Sequence, residues 1–118
     1  MFAMQEENKI NSPAWDIENT HPEHVPMLEE GLNQIMDPEL GLSIIQLGLV
    51  RNIEIKEDHA LITMILTTPF CPYGPSIMES ARKKVEKLLK QPTKIKYGHE
   101  TWAPSMMEEG LGDDWGLY

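Results

Sequence analysis

Residues 60–75 read ALITMILTTPFCPYGP. The first eight are mostly apolar or β-branched, which is typical of a buried strand. Gly74-Pro75 then opens a pattern with helical spacing of apolar residues to about Lys90, and proline suits the first turn of a helix. A strand, a short loop and a helix in this order predict a right-handed crossover to a further, parallel strand.

That further strand is predicted over residues 93–97, where apolar residues alternate with two lysines. An earlier strand is predicted over residues 49–55, joined to the quoted one by the polar residues 56–59, a connection of hairpin length. We expect the earlier strand to face water on one side. We expect the strand over residues 60–67 to be buried on both faces.

A first helix is predicted over residues 26–36, because its apolar residues fall at helical spacing on one stripe. Asp37-Pro38 ends it, since a proline disfavours the α conformation at the residue before it. The order helix, strand, strand, helix, strand predicts a small single-domain α/β sandwich with a three-stranded mixed sheet.

Two segments flank the domain predicted over residues 26–100. Residues 1–25 are an N-terminal extension, and their isolated apolar residues either dock on the domain, dock on a partner or are exposed; these are Phe2, Trp15 and Ile17. Residues 101–118 are a tryptophan-containing tail. A short helix is expected there over residues 104–109, with Ser105 as N-cap and Glu108 three residues later.

Composition excludes several classes of function. The chain has 118 residues and a formal net charge of −9, so nucleic acid and anionic membrane are poor partners. No apolar run reaches the length of a membrane span. A single cysteine rules out an intramolecular disulfide and fits a reducing compartment, and we expect a cytoplasmic protein.

Cys71 is the most informative residue of the chain. It lies in a proline-rich loop a few residues before a predicted helix N-terminus, where unpaired N–H groups and the helix dipole favour the thiolate. Thiolate is the form that binds iron, and Thr67 and Thr68 offer hydroxyl donors to it. The alternative is an inert, buried small hydrophobe.

A second cluster is Asp37-Pro38-Glu39, directly after the first helix. Two carboxylates on a rigid proline could bind metal or act as acid and base. The alternative is structural, with Asp37 capping the neighbouring loop through backbone N–H groups.

These motifs together resemble the SufT-like metal–sulfur cluster assembly factors. The resemblance rests on Asp-Pro-Glu, on residues 47–50 (LGLV), on residues 66–69 (LTTP) followed by Cys71-Pro72, and on residues 102–107 (WAPSMM). It implies a small α/β domain that assists the maturation of iron–sulfur proteins and is not itself an enzyme. It also implies that Cys71 is the reactive residue and metal contact, lined by Asp37, Glu39, Thr67 and Thr68, with Trp102 bordering the site or bracing the tail.

The resemblance has two departures. Phe70 stands where the family often has glycine before the cysteine, which makes the loop bulkier. Residues 113–118 (DDWGLY) fall outside the matched part, and they are either a partner-binding peptide or pack on their own domain.

The predicted function is therefore delivery of iron–sulfur clusters to apo-proteins, with a transient cluster or iron at Cys71 and no firmly bound cofactor. One thiol cannot hold a cluster alone, so we expect a homodimer or a complex with a scaffold, carrier or client protein. The runner-up is an accessory subunit of a multicomponent monooxygenase, similar to PaaD-like proteins. A thiol enzyme using Cys71 as nucleophile is a third alternative.

Overall fold

The computed structural model describes residues 15–68 and 72–107. Its helices and strands, in chain order, are α1 (Ile17–Thr20), a 3-10 turn (Pro22–His24), α2 (Val25–Leu32), β1 (Met36–Asp37), β2 (Leu42–Ser43), β3 (Val50–Ile55), β4 (Ala60–Met64), α3 (Gly74–Leu89), β5 (Thr93–Tyr97) and a second 3-10 turn (Pro104–Met106). Within this described part, no helix combines the length and the apolar character needed to cross a membrane.

The main sheet has three strands in the order β3-β4-β5. β3 and β4 are antiparallel, with Ile53 opposite Ile62, and β4 and β5 are parallel, with Ile62 opposite Ile95. This confirms the predicted mixed sheet and the small α/β fold. Because α3 connects two parallel strands, its N-terminus lies at the edge where β4 and β5 both end.

Helix α3 closely matches its predicted bounds. It begins at Gly74 with Pro75 in its first turn, and Lys90 caps its end in a left-handed conformation at φ 59°. Ile77, Ala81 and Val85 are buried. Their spacing places them on one side of the helix, against the sheet, so α3 is held by its apolar stripe.

The predicted end of the first helix at Met36 is wrong. α2 ends at Leu32, and the chain tightens through bonds from Gln34 N to Gly31 O (3.2 Å) and from Ile35 N to Leu32 O (3.0 Å). Ile35 O then accepts a bond from Ile44 N at 2.9 Å, and β1 pairs with β2. Pairing of residues 35–37 with residues 42–44 therefore overrides the local helical pattern.

The expectation that the quoted strand is buried on both faces is also wrong. β4 ends at Met64, and its side chains alternate between buried and half-buried. Leu61 and Thr63 are the half-buried ones. Since side chains on a strand alternate between two faces, only one face of β4 belongs to the core.

Residues 15–17 pack on the domain. Trp15 and Ile17 are buried, and Trp15 Nε1 donates to the carbonyl oxygen of Val50 at 3.1 Å. Asp16 N donates to Asn52 Oδ1 at 2.7 Å. Of the three isolated apolar residues, these two dock on the domain, whereas Phe2 lies outside the described residues. The boundaries at residues 25 and 100 stay predictions.

The predicted helix over residues 104–109 is a 3-10 turn in its described part. Ala103, rather than Ser105, precedes its first residue, and no side chain caps it. Pro104 takes the first position, as prolines commonly do at helix starts. Glu108 and Glu109 lie outside the described residues. Met106 packs its backbone against Gly48, which anchors this segment to the turn before β3.

Two glycines with positive φ form a matched pair for testing that anchor. Gly41 (φ 71°) has open space where a Cβ would stand, whereas a Cβ on Gly48 (φ 75°) would meet the carbonyl of Met106. We expect Gly41→Ala to lower the free energy of unfolding by about 1–2 kcal/mol, the cost of the left-handed conformation.

Gly48→Ala carries the same backbone cost and adds the clash with Met106. Urea denaturation of both variants should therefore show a clearly larger loss of stability for Gly48→Ala. Equal losses would contradict the close approach of residues 48 and 106.

Candidate functional site

The candidate site lies where β4 runs toward α3. Cys71 itself lies outside the described residues, together with residues 69 and 70. On the two sides of this gap, Thr67 and Thr68 are half-buried and Pro72 and Tyr73 are exposed. The reactivity predicted for Cys71 therefore stays a prediction.

The N-terminus of α3 is the dominant electrostatic feature next to that loop. The helix has 16 residues, and its first turn contains neither an acidic side chain nor a side-chain cap. The unpaired N–H groups of the first turn carry a partial positive charge. A thiolate close in sequence to this turn would gain from that charge.

Asp37 is nearly fully buried, at 1% exposure. Its Oδ1 accepts bonds from Glu39 N at 2.8 Å and Leu40 N at 3.3 Å, and its backbone carbonyl accepts one from Gly41 N at 2.8 Å. This is the loop-capping arrangement that was one of the two alternatives for this residue. Glu39 is exposed, and its predicted role in binding remains untested.

An open cavity of about 370 Å³ lies between residues that neighbour the two predicted clusters in sequence. We call it the Met36–Tyr73 groove, and its lining residues are Gln34, Ile35, Met36, Pro38, Tyr73, Ser76, Ile77 and Ser80. Pro38 belongs to the Asp-Pro-Glu segment, and Tyr73 comes two residues after Cys71. Of the predicted site residues in the described part of the chain, none lines the groove: Asp37, Glu39, Thr67, Thr68 and Trp102 all lie outside its lining.

The sequence analysis missed Met36 and Tyr73 as site residues. They are 47% and 46% exposed, which is high for large apolar side chains. The helical spacing over residues 26–36 predicts Met36 on a buried stripe, but the helix ends before it, and no sequence motif marks Tyr73. Their only signal in the sequence is their position beside Asp-Pro-Glu and Cys71.

Trp102 braces the segment that follows β5. Its Nε1 donates to the carbonyl oxygen of Leu47 at 2.7 Å, and its half-buried ring packs against the core. Arg51 holds the same segment by donating to both carboxylate oxygens of Glu100, at 2.8 and 3.0 Å. These hydrogen bonds hold the pKa of Glu100 below its ordinary value.

The residues that the structure describes contain no group of three or more His, Cys, Asp or Glu side chains arranged to hold a metal ion.

A small α/β domain with a lone cysteine between a strand and a helix N-terminus is the class that the fold and these residues define. Residues 27–96, more than half of the chain, match the family model of iron–sulfur cluster assembly proteins. The chain belongs to this family, which confirms the resemblance found in the sequence.

Two curated relatives carry related names. The chain is 43% identical over 58 residues to the Fe-S protein maturation auxiliary factor YitW of Bacillus subtilis, a match that covers 48% of this chain and 57% of that protein. It is 37% identical over 49 residues to the Fe-S protein maturation auxiliary factor SufT of Staphylococcus aureus, covering 41% and 56%. The chain thus spans little more than half the length of these relatives.

A solved structure supports the fold. A domain of unknown function, DUF59, from Bacillus anthracis superposes with a TM-score of 0.67 at 26% sequence identity. The match covers 79% of this chain and 92% of that one. The chain therefore shares the fold of that domain.

Asp37 allows its structural role to be separated from its charge. Asp37→Asn keeps an oxygen acceptor for the two backbone N–H groups, whereas Asp37→Ala leaves them without it. We expect Asp37→Ala to lower the free energy of unfolding by about 1–3 kcal/mol and Asp37→Asn to lower it by less. Urea denaturation measures both, and equal losses would show that the negative charge, rather than the capping bonds, stabilises the loop.

The Arg51–Glu100 pair predicts a pH dependence. The pKa of Glu100 is lower in the folded state than in the unfolded state. The stability that the ion pair contributes is therefore present above the unfolded-state pKa and is lost as pH falls through the folded-state pKa. Because Glu100 is half exposed, Glu100→Gln should cost less than about 1 kcal/mol near pH 7, and the cost should shrink as pH is lowered toward pH 3. Urea denaturation at both pH values tests this, with the exposed Glu57→Gln as control, and a cost that is undiminished at low pH would refute the ion-pair explanation.

Proposed function

We propose that this chain is an accessory factor that assists delivery of iron–sulfur clusters to apo-proteins through Cys71. Its membership of the iron–sulfur cluster assembly family supports this role. So does the groove geometry, because Pro38 of the Asp-Pro-Glu segment and Tyr73, just after the cysteine loop, line one cavity. That groove is the observation that carries the proposal, since residues next to both predicted clusters line one surface that a partner would contact.

Cys71 would act as a thiolate in this role. On binding iron the thiol gives up its proton, and the N-terminus of α3 lowers the cost of the resulting negative charge. The first turn of α3 adds no acidic side chain to oppose it. Thr67 and Thr68 are half-buried on the preceding side of the loop and would donate hydrogen bonds to the sulfur or to its cargo.

The cluster is cargo in this proposal. A four-ligand cluster needs more thiolates than one chain supplies, so a second copy, a scaffold or a client would complete the site. This favours transient binding and exchange over permanent loading. The lone thiol also favours a reducing compartment, and we place the protein in the cytoplasm.

Anaerobic reconstitution tests the role of Cys71. We expect the wild type to bind iron and sulfide, with visible absorption of a cluster, and to speed transfer to an apo-protein. Cys71→Ser should lose most of both activities, because a serine hydroxyl is a far poorer iron ligand than a thiolate. Ser105→Ala, which changes an exposed hydroxyl outside the groove, is the control that should behave as wild type.

The outcomes separate the alternatives. If neither protein binds a cluster and transfer is unaffected by Cys71→Ser, the carrier role is wrong. If the wild type binds no metal but Cys71→Ser still slows transfer, Cys71 contacts the client without carrying a cluster. Co-purification with an oxygenase complex would favour the accessory-subunit alternative.

A further inference from the structure

The Met36–Tyr73 groove exposes more apolar surface than its surroundings. Met36 and Tyr73 are two of the three large apolar side chains with the highest exposure in the described part of the chain. Ile35 and Ile77 line the same groove beneath them. A concave surface with exposed methionine and tyrosine is typical of a peptide-docking site.

Two lysines continue the line of groove serines along α3, and we call Lys84 and Lys87 with the neighbouring Lys83 the lysine row. Ser76, Ser80, Lys84 and Lys87 follow one another at intervals of four, four and three residues, which places them in one line along the helix. Lys83 borders the same line. Lys84 contacts the segment after α2, because its Nζ donates a hydrogen bond to Gln34 Oε1 at 3.3 Å.

The acidic residues of α3 lie away from this row. Glu79 and Glu86 bind Arg82, with nitrogen-to-oxygen distances of 2.7 and 3.3 Å, on the other side of the helix. Glu79 also lies close enough to Lys83 to feel its charge, so Lys83 is partly neutralised, whereas Lys84 and Lys87 lie nearer the groove. The groove lining itself is uncharged; Lys84 lies beyond its Gln34 end, and the exposed Glu39 follows Pro38 at the other.

Residues 108–118 (EEGLGDDWGLY) have the complementary chemistry. They contain four carboxylates and no lysine or arginine, and their large apolar residues are Leu111, Trp115, Leu117 and Tyr118. A protein with a net charge of −9 repels such a segment from most of its surface. The lysine row borders the exposed apolar side chains of the groove, so it offers this segment positive charge and apolar contacts together.

We propose that residues 108–118 bind in the Met36–Tyr73 groove of the same chain. Asp113 and Asp114 pair with Lys84 and Lys87, and the aromatic rings that follow cover Met36 and Tyr73. This inference concerns a contact within the chain and does not depend on the handling of clusters.

The chain is long enough and starts in the right place. Met107, the last described residue, is buried beside the turn that includes Gly48, and Ile44 in that turn donates a hydrogen bond to Ile35 of the groove wall. Eleven residues reach up to about 35 Å when extended. Because the segment is tethered, its effective concentration at the groove is in the millimolar range, so weak contacts suffice.

Fluorine NMR of the full chain labelled with 5-fluorotryptophan tests the contact. The chain has three tryptophans, and Trp115→Phe identifies the signal of Trp115. We expect that signal to differ in shift from a synthetic peptide of residues 108–118 and to be relaxed less by a soluble gadolinium chelate. The signals of Trp15 and Trp102, which are packed in the domain, report whether each variant is folded.

Two charge-reversal pairs make a matched comparison. Lys84→Glu with Lys87→Glu should raise the ratio of free to bound segment about fivefold, the factor that two exposed ion pairs supply together. Lys94→Glu with Lys96→Glu makes the same change on the exposed side of β5 and should leave the signal unchanged. Tyr73→Ala should also shift the signal toward that of the free peptide.

Three results would overturn the proposal. The first is a Trp115 signal in the wild-type chain that matches the free peptide. The second is equal release by the two charge-reversal pairs. The third is a return to the free signal on dilution, since this would mean that the segment binds a second copy of the chain.

Discussion

The packing of α3 against one face of a parallel strand pair governs the rest of this structure. Ile77, Ala81 and Val85 are buried, and the burial of such side chains contributes about 1.5–3 kcal/mol each for the larger ones. Because β4 and β5 run parallel, the helix must return along the sheet, and its N-terminus comes to the edge where both strands end. The loop that contains the single thiol is therefore tied, by a packing requirement, to a helix N-terminus.

The short β1–β2 ribbon supplies the other side of the candidate site. It ends α2 early and turns Asp37 into the interior, where the carboxylate caps the following loop. This places Pro38 and Met36 across a groove from the first turns of α3. Asp37, one of two carboxylates considered for acid–base chemistry or metal binding in the sequence, thus has a structural role. Its side chain accepts hydrogen bonds from the backbone of the loop that follows.

The electrostatic arrangement follows from the same packing. Arg82 forms ion pairs with Glu79 and Glu86 on α3, whereas Lys84 lies next to the groove. Arg51 and Trp102 fix the segment after β5 onto the turn before β3. The described surface therefore has an apolar groove next to Lys84, while the chain as a whole remains acidic.

The sequence by itself determined α3, β5, the mixed sheet and the family. These depend on local signals, namely the proline at the helix start, the alternation along residues 93–97 and the spacing of the apolar stripe. Only the tertiary structure decided that α2 stops at Leu32, that β4 has one buried face and that Trp15 packs under Val50. The end of α2 depends on pairing across the Asp-Pro-Glu turn, and the other two depend on burial between residues far apart in the chain. Such contacts leave no periodic trace in either partner's own sequence.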